Sequence, residues 1–252
     1  LPAFLHAKGG PSLPHLVAGG LATLQMAMLV TDAGFAPLTW GLYLLIAAAL
    51  AALGWRFNAL RLGTLVSAGL GLWLLVIWPE PDAPSFALVA AAQVAIFVGV
   101  PLAYQCLARA RLLDLGQLAG VSLIMGIAIY TRYGTWSADD SEPLLAAALA
   151  GLALLPTAAF AMLWRRGQEA HTREVLILLA PAALLAFAAL LLITPAWAAP
   201  IMALAVSAPL LWCEARRDAP ALHSAAWAGA AVTVIALAVT PGFAQEFTQL
   251  GD

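Results

Sequence analysis

Apolar residues run through this chain in blocks of helical length, and the polar residues collect in short breaks between them. Nine blocks can be drawn: Pro14–Val30, Leu38–Trp55, Leu60–Trp78, Ser85–Leu107, Leu112–Tyr130, Pro143–Trp164, Val175–Ile193, Trp197–Cys213 and Ala221–Thr240. At about 1.5 Å of rise per residue, even the shortest nearly crosses a hydrocarbon core of about 30 Å. None shows the period-two alternation of a transmembrane barrel strand. The pattern therefore predicts an all-α, polytopic transmembrane helix bundle of about nine spans, with residues 1–252 forming a single module. The link Thr194–Pro200 is short and uncharged, so a re-entrant hairpin remains open there. The chain begins at Leu1 rather than Met, which leads us to expect a fragment of a longer membrane protein.

Composition agrees with this pattern. The chain is 63% hydrophobic and 10% charged, whereas a soluble domain carries roughly a quarter charged residues. A net charge of −2 leaves no basic footprint for nucleic acid. The two cysteines, Cys106 and Cys213, both end apolar blocks and do not imply a disulfide framework. The Pro/Gly-rich opening residues contain no cleavable signal-peptide pattern.

Charge placement sets an expected orientation. Lys8, Arg56, Arg61, Arg109, Arg111, Arg165, Arg166, Arg173, Arg216 and Arg217 all fall in one alternate set of connections. Only Arg132 falls in the other, which instead holds Asp32, Glu80, Asp82, Asp139, Asp140, Glu142, Glu246 and Asp252. Positively charged loops stay on the cytoplasmic side, so the N-terminus is expected inside and the C-terminus outside. Arg165, Arg166 and Arg173, in the polar run Trp164–Glu174, form the largest of these topology anchors. Tryptophan placement fits the same orientation. Trp55, Trp164 and Trp212 end blocks on the inner side, and Trp40, Trp78, Trp136 and Trp197 lie at the outer side, where indole rings prefer the headgroup layer.

Inside the blocks, Gly63, Ser67 and Gly71 lie four residues apart, as do Gly116 and Gly120, followed by Ser122 and Gly126. Small residues at this spacing let two helix backbones approach closely. Pro101, Pro156 and Pro181 each remove one helical N–H donor. They read as kinks in a bundle or, in a transporter, as breaks beside a ligand.

Candidate chemistry is sparse. The mid-block polar residues Gln25, Gln93, Thr157, Ser207 and Thr233 are neutral, and Asp114, Glu174 and Glu214 sit near inner ends, within reach of water or a neighbouring Arg. A proton-coupled mechanism normally keeps an ionisable group at membrane depth, so this pattern argues against one. Gln93 is the best single candidate for a buried polar contact, with an interhelical hydrogen bond as its plainer reading. His6, His15, His171 and His223 are not at metal-ligand spacing, and no nucleotide-binding or serine-nucleophile motif occurs. No cofactor is expected. The loop Tyr130–Pro143 combines Arg132, Tyr133 and Trp136 with Asp139 and Asp140. Adjacent carboxylates near aromatic rings can bind a cation or sugar or serve acid/base chemistry. The plainer reading is an acidic outer loop with an aromatic anchor.

The run Trp40–Pro81 resembles the bacterial membrane-protein family called "domain of unknown function 2339". The similarity lies in Trp55-Arg56, Leu60-Arg61 and Trp78-Pro79, and in a second segment, Ile129-Tyr130-Thr131-Arg132-Tyr133. Pro79 stands where an acidic residue usually follows the Trp. The resemblance implies a long, many-span inner-membrane protein and transfers no catalytic residue.

The expected function is that of a multi-pass inner-membrane protein acting as a non-catalytic structural or envelope-associated module. Its expected partners are the lipid bilayer and the rest of a longer chain or other membrane proteins. The alternatives are a small-molecule or lipid transporter of flippase type, and a membrane enzyme acting on an envelope glycan or lipid through Tyr130–Pro143.

Overall fold

The computed structural model describes residues 13–107, 110–134, 142–165, 172–194 and 198–217. The regular structure among them is helical: α1 (Leu13–Asp32), α2 (Pro37–Arg56), α3 (Arg61–Ile77), α4 (Ala83–Phe97), α5 (Gly99–Cys106), α6 (Leu112–Tyr133), α7 (Pro143–Arg165), α8 (Thr172–Leu191) and α9 (Ala199–Arg217). A 3-10 turn, Asn58–Leu60, joins α2 to α3. Five stretches are long and apolar enough to cross a membrane: Pro37–Arg56, Ala83–Cys106, Leu112–Tyr133, Pro143–Arg165 and Glu174–Leu191. The chain thus has the build of an integral membrane protein. Helix also covers the shorter apolar stretches Val17–Asp32, Arg61–Ile77 and Ala199–Pro209. The expected span Ala221–Thr240 lies outside the described residues.

Local sequence chemistry sets the helix ends. α1 stops at a Schellman turn: Gly34 takes φ 63°, its N–H donates to Thr31 O at 3.0 Å, and the Phe35 N–H donates to Val30 O at 2.8 Å. Glycine adopts this left-handed backbone without a Cβ clash. Pro37 then lies at the start of α2, where its missing N–H has no intrahelical partner to lose. Asp82 caps α4 by accepting the Ser85 N–H at 2.9 Å. That bond holds the Asp82 carboxyl below its ordinary range. Arg56, Arg132 and Arg165 occupy last turns, where a cation meets the negative end of the helix dipole.

The helices group into two compact units, Leu1–Met125 and Gly126–Asp252. In the first, α1, α2, α3 and α4 pack on one another. The small-residue stripe faces inward there, with Gly63, Ser67 and Gly71 all buried. An aromatic cluster closes one end. Phe35 stacks on Trp78 at 5.8 Å between ring centroids, and Trp78 lies 5.2 Å from Trp40 and 6.3 Å from Phe86. This corrects the reading of Trp40 and Trp78 as headgroup-layer anchors: they are 1% and 8% exposed because they pack against each other. Trp55 and Trp212, by contrast, are exposed.

In the second unit α7 packs along α8, and α8 along α9. The Glu142 N–H donates to Leu192 O at 3.0 Å, tying the start of α7 to the end of α8. α7, α8 and α9 continue through Pro156, Pro181 and Pro209. Before Pro101 the regular helix is perturbed at Val98, between α4 and α5, although the Val98 N–H still donates to Val94 O at 2.9 Å and the Leu102 N–H to Val98 O at 3.0 Å. Of the second glycine group, Gly126 makes the closest approach: a Cβ there would lie 2.2 Å from Leu185 Cδ2 and 3.4 Å from Leu149 Cδ2. Overpacking of this kind costs about 1–3 kcal/mol. Gly126→Ala is expected to lower the melting temperature in detergent, and adding Leu185→Ala to recover part of the loss. Additive losses in the double variant would show that the two residues do not press on each other.

Candidate functional site

Three helices of the first unit bring polar side chains into its interior around Gly71. Gln93, on α4, is fully buried, and its Nε2 donates to Gly71 O on α3 at 3.1 Å. The carboxamide fits because residue 71 is glycine: a Cβ there would lie 2.9 Å from Gln93 Oε1. The Tyr43 hydroxyl, from α2, donates to Ser67 O one turn away on α3. Ser67 Oγ and Gln93 Oε1 are buried without a hydrogen-bond partner, as is Trp40 Nε1 toward the aromatic cluster. Leaving a buried group unmatched costs about 1–3 kcal/mol, so these atoms mark where the interior is least saturated.

A second polar group lies at the start of α3. Arg61 Nη1 and Asp114 Oδ2 form an ion pair at 2.6 Å, with side chains 7% and 3% exposed. Asp114 stands in the first turn of α6, where Oδ2 also accepts the Arg111 N–H at 2.8 Å. Arg61 Nε donates to Gly54 O on α2 at 3.4 Å. The guanidinium lies 3.9 Å from the centre of the Tyr104 ring on α5, a cation–π arrangement. Tyr104 in turn packs 5.1 Å from Trp55 and directs its hydroxyl to Ala51 O at 3.5 Å. One cation thereby touches α2, α5 and α6 from its place on α3.

Arg61, counted among the topology anchors for its place in a connection, turns its side chain inward onto its counter-ion. One expectation is corrected: buried charge is present, since Asp114 is 2% exposed. Proximity to a neighbouring Arg was anticipated for Asp114, but Arg61 comes from a distant part of the sequence.

Between the two groups lies a contact that the sequence reading missed. Pro101 has no N–H, so the Phe97 carbonyl four residues earlier loses its helical donor. Gln117 Nε2, on α6, donates to that carbonyl at 2.9 Å. The signal was present in the sequence as a proline that frees the carbonyl four residues earlier and an unassigned glutamine in an apolar block.

Arg132 and Tyr133 end α6 and are exposed. Trp136, Asp139 and Asp140 lie outside the described residues. Among the anchors, Arg56, Arg111 and Arg165 are exposed. Arg109 and Arg166, and the side chains of Arg173, Arg216 and Arg217, fall outside the description. Among the described residues no group of three His, Cys, Asp or Glu side chains is placed to hold a metal ion. No family model, curated protein or solved structure matches this chain.

Breaking a buried pair by removing one partner typically costs about 3–5 kcal/mol, because the other charge stays behind unpaired. Arg61→Met and Asp114→Asn are each expected to destabilise the protein by that order. The double variant should lose clearly less than the sum, measured by thermal denaturation in detergent. Full additivity would mean that the pair carries no coupling.

Proposed function

We propose that this protein is a non-catalytic structural module of the bacterial inner membrane, with nine spans, its N-terminus inside and its C-terminus outside. The observation that carries the reading is the enclosure of Gln93. The residue best placed for a solute is 0% exposed and bonded to a neighbouring helix backbone. The first unit's polar residues hold helices together, which is the role of polar groups in a bundle whose surroundings are as apolar as its core. Its partners in this reading are lipid and other membrane-embedded chains.

A transport role is the second reading, favoured by the missing helical bond between Phe97 and Pro101 within the long apolar stretch Ala83–Cys106. Discontinuous helices often line solute sites in transporters.

Gln93→Met keeps the side chain's length and removes its amide. For a structural module, the melting temperature falls and any envelope phenotype follows the protein's abundance in the membrane. Loss of solute flux at unchanged abundance and melting temperature would assign transport instead. Orientation has its own test, since Cys106 is exposed. In a Cys213→Ser chain, a membrane-impermeant maleimide should modify Cys106 only after the cells are opened. Modification in intact cells would reverse the proposed topology.

A further inference from the structure

We infer that α5 is a hinged half-helix, held in place by the Arg61–Asp114 pair at one end and by Gln117 at the other. It consists of eight residues between the interruption at Val98 and the end of helix at Cys106. It joins α4 through Val98, whose N–H donates to Val94 O at 2.9 Å and whose carbonyl accepts the Leu102 N–H at 3.0 Å. The angle at the one bond the proline removes is therefore set by the docking contacts of α5.

The hinge has an identifiable chemistry. Val98 takes φ −108° and ψ −42°, and Gly99 follows it at the start of α5. Pro101 removes the donor that would bond the Phe97 carbonyl, so one helical bond is missing between α4 and α5 while Val98 keeps its bonds to Val94 and Leu102. Gln117 supplies the missing donor from α6, and this bond is buried. The junction is therefore held from outside its own helix, and losing Gln117 leaves a buried carbonyl unmatched.

The latch lies at the opposite end of α5. Tyr104 is 3% exposed and packs beneath the Arg61 guanidinium. Asp114 meets that guanidinium at 2.6 Å, beside the longer bond to Gly54 O, so the charge on α6 supplies the strongest polar contact described for the cation over the ring on α5. Gly99, Cys106 and Leu107 are exposed, while Pro101, Tyr104 and Gln105 are buried. α5 thus presents one narrow docking face with its hinge and latch on that face. Neutralising Asp114 frees Arg61 to turn toward water, which removes the cover from Tyr104 and lets α5 swing about Val98–Gly99. α4, on the far side of the hinge, keeps its own bond from Gln93 to Gly71 and does not follow. Such a movement exceeds what a purely static module requires.

The test measures distances between spin labels in the full chain in lipid nanodiscs. One pair joins Cys106 on α5 to Leu62→Cys on α3, in a Cys213→Ser chain. The control pair, Val76→Cys and Leu88→Cys, joins α3 to α4 in a chain with both native cysteines changed to Ser. Leu62, Val76 and Leu88 are all exposed. Asp114→Asn keeps an oxygen to accept the Arg111 N–H while removing the charge. It is expected to add a longer-distance population to the Cys106 pair and leave the control pair unchanged. Gln117→Leu should give the same selective shift by unpairing the Phe97 carbonyl, and it serves if Asp114→Asn does not fold. Adding Pro101→Ala, which restores the N–H to Phe97, should abolish the longer population. A Cys106 pair that keeps one distance in both variants overturns the hinge. So does a control pair that broadens equally, because the unit would then be loosening as a whole.

Discussion

A guanidinium inside an apolar bundle needs an answering charge, and the first unit of this protein is arranged to give Arg61 one. Asp114 meets it at 2.6 Å, and the two come from positions 53 residues apart. Burying such a pair is expensive, since each ion gives up water, and geometry must return the loss through further contacts. Gly54 O, the Tyr104 ring and the Arg111 N–H supply them. Separating α3 from α6 would leave an unmatched buried charge, and moving α2 or α5 would strip the guanidinium of its remaining contacts. The pair therefore sets the register of these helices more firmly than apolar contact does, because lipid tails are as apolar as the helix faces and give no hydrophobic drive for association.

The neutral contacts obey the same constraint. Pro101 opens the Phe97 carbonyl, and Gln117 closes it. Gly71 leaves room on α3, and the Gln93 carboxamide occupies it. Three of the atoms where the constraint is incompletely met, Ser67 Oγ, Gln93 Oε1 and Trp40 Nε1, lie along the seam joining α2, α3 and α4. Aromatic packing compensates at that end. Phe35 holds φ 61°, an unfavourable value for a residue with a bulky side chain, while its ring lies stacked on Trp78.

Helix class and helix position were legible in the sequence because both depend on runs of apolar residues, which need no partner to be recognised. The inward face of Gly63, Ser67 and Gly71 was legible for a similar reason, being a spacing within one helix. Gln93 was picked out correctly as a buried hydrogen-bonding residue. The inward turn of Arg61 was not legible because its position next to a break looks the same whether the side chain turns to water or inward. Only the three-dimensional meeting with Asp114 distinguishes them. Trp40 and Trp78 were misread for the same reason: a tryptophan at a helix end suits the headgroup layer, yet two turns that meet can bury both rings together.

The acceptors explain why so much of the network had no sequence signature. Among the described residues, Tyr43, Arg61, Gln93, Tyr104 and Gln117 each reach a backbone carbonyl on another helix: Ser67, Gly54, Gly71, Ala51 and Phe97 in turn. A carbonyl belongs to every residue, so no complementary side chain announces the partner. Accessibility decides which carbonyls serve. Four of the five belong to Gly, Ala or Ser, whose side chains are too small to shield the backbone from a neighbouring donor. The fifth, Phe97, is bulky, but Pro101 has taken away its helical donor and left it open. Small residues here accordingly do more than let helices approach. They expose carbonyls as sockets for long polar side chains, and the proline on α5 makes the same kind of socket by subtraction. That common logic places the hinge of α5 within the bundle's ordinary means of cohesion, needing no separate machinery beyond one missing N–H.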